Sequence, residues 1–301
     1  MSAIYEKQNE PEMLRLLAAQ RQLYDEEKRN MSIWLVVVFI TGFLGTGLAG
    51  LADRFMPEIV FFSLLVVLLE FAILPRIEQK RALAAKIQEW FDCKLFDLPW
   101  NEALTPPPDK QFYQEINSAV ARFEKRKNAA QDWESLRNWY TNPFLQTLPE
   151  HQARVACQLE NVRWDSGQRR AWIQVIVGVV IALIVLILGI GMIMNWQLQD
   201  FFGVGMLLSL PLWVLAAEHV RAHRQAAERL DYLKIVGREL CHEAGKTNSD
   251  PAELLRRTRE LQSEIYHHRK EDVPVFSWFY RIHGQKGASI AITDHVDPCL
   301  L

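Results

Sequence analysis

Few side chains in this sequence are spaced for chemistry, and those that are fall in helical patterns. His219 and His223 stand one helical turn apart, a separation at which two imidazoles could clamp a metal ion. No third ligand lies at a metal-site spacing, so no metal is assigned. Cys241-His242-Glu243 and His267-His268 add no ligand set. The chain carries no phosphate loop, nucleophile elbow, zinc-protease helix or carboxylate cage, which counts against an enzyme and leaves no catalytic residue or cofactor to name. The densest polar pattern is Ala153 to Arg170. On a helix, Gln158, Asn161 and Asp165 share one face, Cys157, Asn161, Trp164 and Gln168 form an overlapping one, and Asp165 reaches Arg169 as an i,i+4 ion pair. Either this is a buried hydrogen-bonded network or ligand face, or it is a polar helix coupling a soluble domain to the apolar segment that begins at Trp172.

That segment is one of four. The mean hydropathy of −0.06 averages over a clustered sequence. The 34 Lys and Arg nearly balance 36 Asp and Glu, so no electrostatic footprint points to a nucleic-acid polymer. The apolar residues gather in Ile33 to Ala52, Ile59 to Leu74, Trp172 to Met194 and Phe201 to Ala217. A bilayer core needs about 20 apolar residues in a helix. The first and third blocks meet this outright, and each shorter block comes after a long one closely enough to be its return. The expected fold is an all-α membrane protein with four transmembrane helices in two hairpins and a mainly helical cytoplasmic domain. The expected boundaries are an N-terminal cytoplasmic helix over 1–30, hairpins over 31–75 and 172–217, and cytoplasmic parts over 76–171 and 218–301.

Basic residues set the orientation. Lys28, Arg29, Arg76, Lys80, Arg81, Arg169, Arg170, Arg221 and Arg224 flank the outer ends of the hairpins, whereas the two turns hold only Arg54. Both termini are therefore expected in the cytoplasm of a multi-pass inner-membrane protein. No signal peptide is visible, and Cys93, Cys157, Cys241 and Cys299 are expected to be reduced. Within the apolar blocks, Glu70 is an acid that either serves a pore or sits at the cytoplasmic interface. Gly42, Thr46 and Gly50 repeat at small-xxx-small spacing, suited to oligomerisation or to packing within the hairpin. Ser209 is one of the few polar groups in the fourth block.

In the polar parts, Glu12 to Arg29 and Ile77 to Phe91 read as helices, the second continuing the second apolar block. Ser249-Asp250-Pro251 starts another, and loops fall at Asp97 to Lys110 and Tyr140 to Pro149. Ala288 to Thr293 has the pattern of a short strand, but the tail is expected to be partly disordered.

A set of short motifs surrounds this frame. They are Ala18-Ala19-Gln20-Arg21, Leu23-Tyr24 and Lys28; Phe91-Asp92-Cys93, Leu95-Phe96 and Leu98-Pro99-Trp100-Asn101; Asn138-Trp139-Tyr140; Cys157-Gln158, Asn161, Trp164-Asp165 and Arg169; and Ile265-Tyr266, Arg269 and Trp278-Phe279-Tyr280. In this order around two membrane hairpins, the chain resembles the SMODS-associated four-transmembrane effectors, pore-forming proteins of bacterial anti-phage systems that work through cyclic oligonucleotides. The resemblance implies that a partner synthase makes a cyclic oligonucleotide, that this activator leads the protein to open or disrupt the inner membrane, and that cell death limits phage spread. Such a ligand needs aromatic faces for bases and cations for phosphates. Trp100, Asn101, Arg137, Trp139, Tyr140, Arg269 and Tyr280 are the candidates, while Asp92, Gln158, Asn161, Trp164, Asp165 and Arg169 form the structural motif. Four helices of one chain can hardly enclose an aqueous pore, so a homo-oligomer in the lipid bilayer is expected. A small housekeeping channel or transporter, or a membrane scaffold for a cytoplasmic partner, is the alternative.

Overall fold

The computed structural model describes residues 3–49, 56–140, 143–202, 209–246, 248–273, 275, 276 and 279. Among these residues there is no strand. The order is α1 (Ile4–Lys7), α2 (Pro11–Ala49), α3 (Met56–Phe96), α4 (Lys110–Glu124), α5 (Ala129–Glu134), a 3-10 turn (Pro143–Gln146), α6 (Glu150–Ile193), α7 (Leu198–Asp200), α8 (Leu210–Ala244) and α9 (Pro251–Glu271).

Local chemistry sets the helix ends. Asp109 caps α4 by accepting from the Phe112 N–H at 2.8 Å, and Asp250 caps α9 by accepting from Ala252 at 3.0 Å, with Pro251 in the first turn where its missing N–H is harmless. α3 stops where Asp97 adopts φ 50° and the Leu98 N–H turns back to the Cys93 carbonyl at 3.0 Å, closing the helix in the manner of a Schellman motif. The expected loop at Asp97 to Lys110 separates α3 from α4, the described part of Tyr140 to Pro149 contains the 3-10 turn, and Ala288 to Thr293 lies outside the described residues.

The long helices pack as two antiparallel pairs, α2 with α3 and α6 with α8, and α9 lies across α3, α6 and α8. Gly237 permits the close approach of α8 to α6, since a Cβ there would meet Leu159 Cδ1 at 3.0 Å. One apolar core joins α2, α3, α4 and the start of α6 around Leu17, Phe91, Phe96 and Phe123. A second joins α6, α8 and α9 around Leu159, Leu233 and Leu261. A third gathers Met31, Trp34, Ile77, Trp172 and Leu212 of the four long helices with Phe276 and Phe279, which come after α9.

The helices run without interruption across all four expected boundaries, at 30/31, 75/76, 171/172 and 217/218. A helix satisfies its own backbone in lipid and in water alike, so a change of surroundings need not end it. Among the described residues, α6 is the one helix long and apolar enough to cross a membrane by length and composition, and its most apolar stretch is 11% buried. Apolar side chains are also exposed on α2 (Ile33, Val36, Ile40), α3 (Phe61, Leu68, Phe71) and α8 (Leu210, Val214). Cys93 and Cys157 are free and buried, whereas Cys241 is disulfide-bonded, contrary to the expectation of four reduced thiols. That expectation considered only the compartment, and sequence spacing cannot show which sulfurs the fold brings together.

Candidate functional site

Outside the apolar blocks, α3, α6 and α9 are joined by buried polar groups. Asp92 on α3 is fully buried. Its Oδ1 accepts from the Tyr140 hydroxyl at 3.0 Å, and its Oδ2 from Gln262 Nε2 at 3.0 Å and Arg269 Nη1 at 2.5 Å. Asn161 Nδ2 donates to the same Tyr140 oxygen at 2.7 Å, which ties α6 into the network. Gln158 donates to the Thr258 carbonyl at 3.1 Å and to Gln262 Oε1 at 3.0 Å. One turn away, Glu89 accepts from Arg259 at 2.5 Å and Gln262 at 2.8 Å. Burial, aided by the Asp92 charge, pushes the Tyr140 pKa well up and keeps the hydroxyl a neutral donor. Burial opposes the Arg269 charge, but the Asp92 carboxylate outweighs it and raises the guanidinium pKa.

A second group lies nearer the third apolar core. Asp165 Oδ2 accepts from Arg169 Nε and His268 Nε2, both at 2.8 Å, and His268 Nδ1 faces Asp272. Burial alone would raise the Asp165 pKa, yet Arg169 and His268 hold it far below the usual carboxylate range. Arg169 also donates to the Val273 carbonyl at 2.9 Å, and Arg81, paired with Glu27 at 3.2 Å, donates to the Glu271 carbonyl at 2.8 Å. The end of α9 is thus held by arginines from α6 and α3. His223 is pushed down to about 3 by burial, then by Arg169 and His219, so it is neutral. The His219 and His223 rings lie 6.3 Å apart, and among the described residues no cluster of three His, Cys, Asp or Glu is arranged to hold a metal.

Beside these groups is a cavity of about 970 Å³ between α2, α6, α9 and the segment after α4. Its wall includes the cations Arg21, Lys28, Arg29, Arg126, Arg169 and Arg269 and the acids Asp25, Asp132, Asp165 and Asp272. Arg126 pairs with Asp25 at 2.9 Å and Asp132 at 3.6 Å, and Arg169 pairs with Asp165. Arg21 is bonded to the neutral Ser135 hydroxyl, at 2.6 Å. The remaining balance is cationic. Phe276 belongs both to this wall and to the third apolar core, where its ring meets Trp172 edge-on at 5.3 Å.

Of the candidates named from sequence, Trp139, Asn161, Asp165, Arg169 and Arg269 line the cavity. Tyr140, Asp92 and Gln158 are buried behind it as bonded supports. Trp100 packs edge-on against Trp90 and donates to the Thr105 carbonyl, Asn101 bonds Ser263, and Arg137 pairs with Glu134 at the surface, so none of these three is on the cavity wall. Tyr280 and the Trp164 side chain lie outside the described residues and side chains. Glu70 is half-buried on α3 between exposed Leu69 and Phe71. Ser209 is buried at the start of α8, where its Oγ accepts from Trp213 Nε1 at 2.7 Å. Gly42 and Thr46 fall within α2, and Gly50 lies outside the described residues. Gln20, Arg21, Tyr24, Lys28 and Gln88 also line the cavity, though none is a candidate from sequence. A signal for three of them was present, since Gln20, Tyr24 and Lys28 repeat at i,i+4 and so mark one face of α2.

Residues 2–289 match the model of the SMODS-associating 4TM effector domain. The chain is also 23% identical over 294 residues to a protein of Bacillus cereus (strain VD146) described as a probable CBASS effector molecule, a match covering 93% of each chain. No solved structure matches.

Proposed function

The chain belongs to the SMODS-associating 4TM effector family, and from that premise we propose that it is a non-enzymatic membrane effector of anti-phage defence, activated by a cyclic oligonucleotide from a partner synthase. In this reading the four apolar blocks are transmembrane helices in two hairpins, both termini are cytoplasmic, and the activated protein assembles into a homo-oligomer that permeabilises the bacterial inner membrane. The exposed apolar side chains on α2, α3, α6 and α8 support four spans, since lipid is the surrounding that removes them from water. The ligand occupies the cationic cavity. Its volume lies near the top of the roughly 300–1,000 Å³ range of small-molecule sites, which suits a ligand with more than one base.

The observation that carries this reading is the position of Phe276, shared by the cavity wall and the core that joins the four long helices. A ligand that prefers a different placement of this side chain shifts the helix pairs relative to one another, because differential affinity is what moves such an equilibrium. The test places purified protein in phosphatidylethanolamine–phosphatidylglycerol vesicles loaded with dye and adds cyclic di- and trinucleotides. Release is expected with at least one of them, and Lys28→Glu with Arg29→Glu should raise the required concentration at least about tenfold through lost phosphate contacts. Intact vesicles under every nucleotide, with the protein properly inserted, sink the proposal, and equal release without nucleotide favours a constitutive channel.

A further inference from the structure

On the cavity wall Asp25 and Asp132 pair with Arg126 and Asp165 with Arg169, but three neutral polar side chains there make no hydrogen bond among the described residues. Gln20 is 2% exposed and Gln88 7%, and neither amide bonds another described residue. The Tyr24 hydroxyl on the same wall is buried and unbonded. Burial is the main influence on that hydroxyl and raises its pKa, so it remains a neutral O–H.

The fold places these groups together. Ion pairs Glu12–Lys94, Glu26–Lys80 and Glu27–Arg81 fix the antiparallel register of α2 against α3, and that register sets Gln20 opposite Gln88. Tyr24 stands one turn further along α2, and Lys28 one turn beyond it. Buried amides are normally bonded, because an unbonded one destabilises the folded state. Two of them on the wall of one ligand-sized cavity form a surface whose partner arrives from outside. An amide offers a carbonyl acceptor beside N–H donors, the complement of a nucleobase edge that sets a donor next to an acceptor.

We propose that Gln20 and Gln88, with Tyr24, are the base-reading pole of this cavity and bond the polar edge of one nucleobase, while Lys28 and Arg29 hold phosphate. This rests on the cyclic-oligonucleotide reading of the cavity and adds what determines its specificity. The cavity is then polarised along α2, with neutral groups for the base at the Gln20 end and cations for the phosphates at the end nearer the first apolar block.

The experiment measures binding of cyclic dinucleotides carrying adenine, guanine, cytosine or uracil to the full-length protein in nanodiscs, for the native protein and for Gln20→Met and Gln88→Met. The native protein is expected to rank the four bases. Each variant should bind the preferred one about 10- to 100-fold more weakly and lose most of the ranking, as expected for a lost bidentate contact. Melting without ligand is read in parallel. The variants should melt at or near the native temperature, because methionine keeps the side-chain volume and removes an amide that bonds no other described residue. A drop in melting temperature shows the amides to be structural and overturns the proposal. Native ranking retained in both variants, with Lys28→Glu and Arg29→Glu abolishing binding, overturns base reading and leaves the nucleotide reading intact. No binding of any dinucleotide to the native protein overturns both.

Discussion

Single residues in this protein show how geometry decides between burial and pairing. Asp165 is a part-buried carboxylate and Glu27 a fully buried one, and burial is the largest single influence on each. Asp165 has Arg169 Nε and His268 Nε2 both at 2.8 Å and is held ionised. Glu27 has Arg81 at 3.2 Å, whose guanidinium is shared with the Glu271 carbonyl, and its Oε2 is unbonded, so burial prevails and its pKa rises to about 7. A folded-state pKa above the unfolded value means that folding takes up a proton, so the Glu27 contribution is complete below pH 4.5 and is lost as pH rises through 7. Asp165 behaves oppositely, contributing above its unfolded value and losing that only in stronger acid, so the two windows do not overlap. Glu27→Gln is expected to flatten the fall in denaturant midpoint between about pH 5 and about pH 8. An unchanged slope in that variant would assign the pH dependence elsewhere.

At the scale of elements, α9 joins the buried polar networks to the third apolar core. It carries Gln262, Arg269 and His268 into the buried networks, and the chain beyond it brings Phe276 and Phe279 against Trp172 at centroid distances of 5.3 and 5.1 Å. The start of α9 was readable from Asp250-Pro251, because capping is local chemistry. Its end was not, since the bonds from Arg169 and Arg81 that hold it come from helices distant in sequence. Trp172→Ala is expected to remove roughly 3–5 kcal/mol from the third core. Ligand affinity should change little, because Trp172 is not on the cavity wall, while nucleotide-dependent dye release should be lost or become constitutive. Unaltered release would show that this core does not transmit the signal.

For the whole molecule, the proposed permeabilisation raises the question of what would enclose a path. Four helices packed as two pairs satisfy one another and leave apolar side chains facing outward, so a conducting path requires several copies. Crosslinking in vesicles should shift from monomer toward higher species when an activating cyclic nucleotide is added, and a strictly monomeric protein that still releases dye would point to bilayer disruption. Much of this molecule is legible in sequence alone. Hydropathy marks four apolar blocks, charge marks an expected orientation, and local caps mark helix starts, because each depends on neighbours along the chain. The candidate site was half-visible for the same reason. Asn161, Asp165 and Arg169 lie on one helical pattern and were found, whereas Gln20 and Gln88 became a pair only through the antiparallel register of α2 and α3. Trp100 and Arg137 have the right chemistry for a nucleotide, but the fold turns them to other partners. Periodicity fixes which side of a helix a residue occupies, and only tertiary packing decides what that side meets.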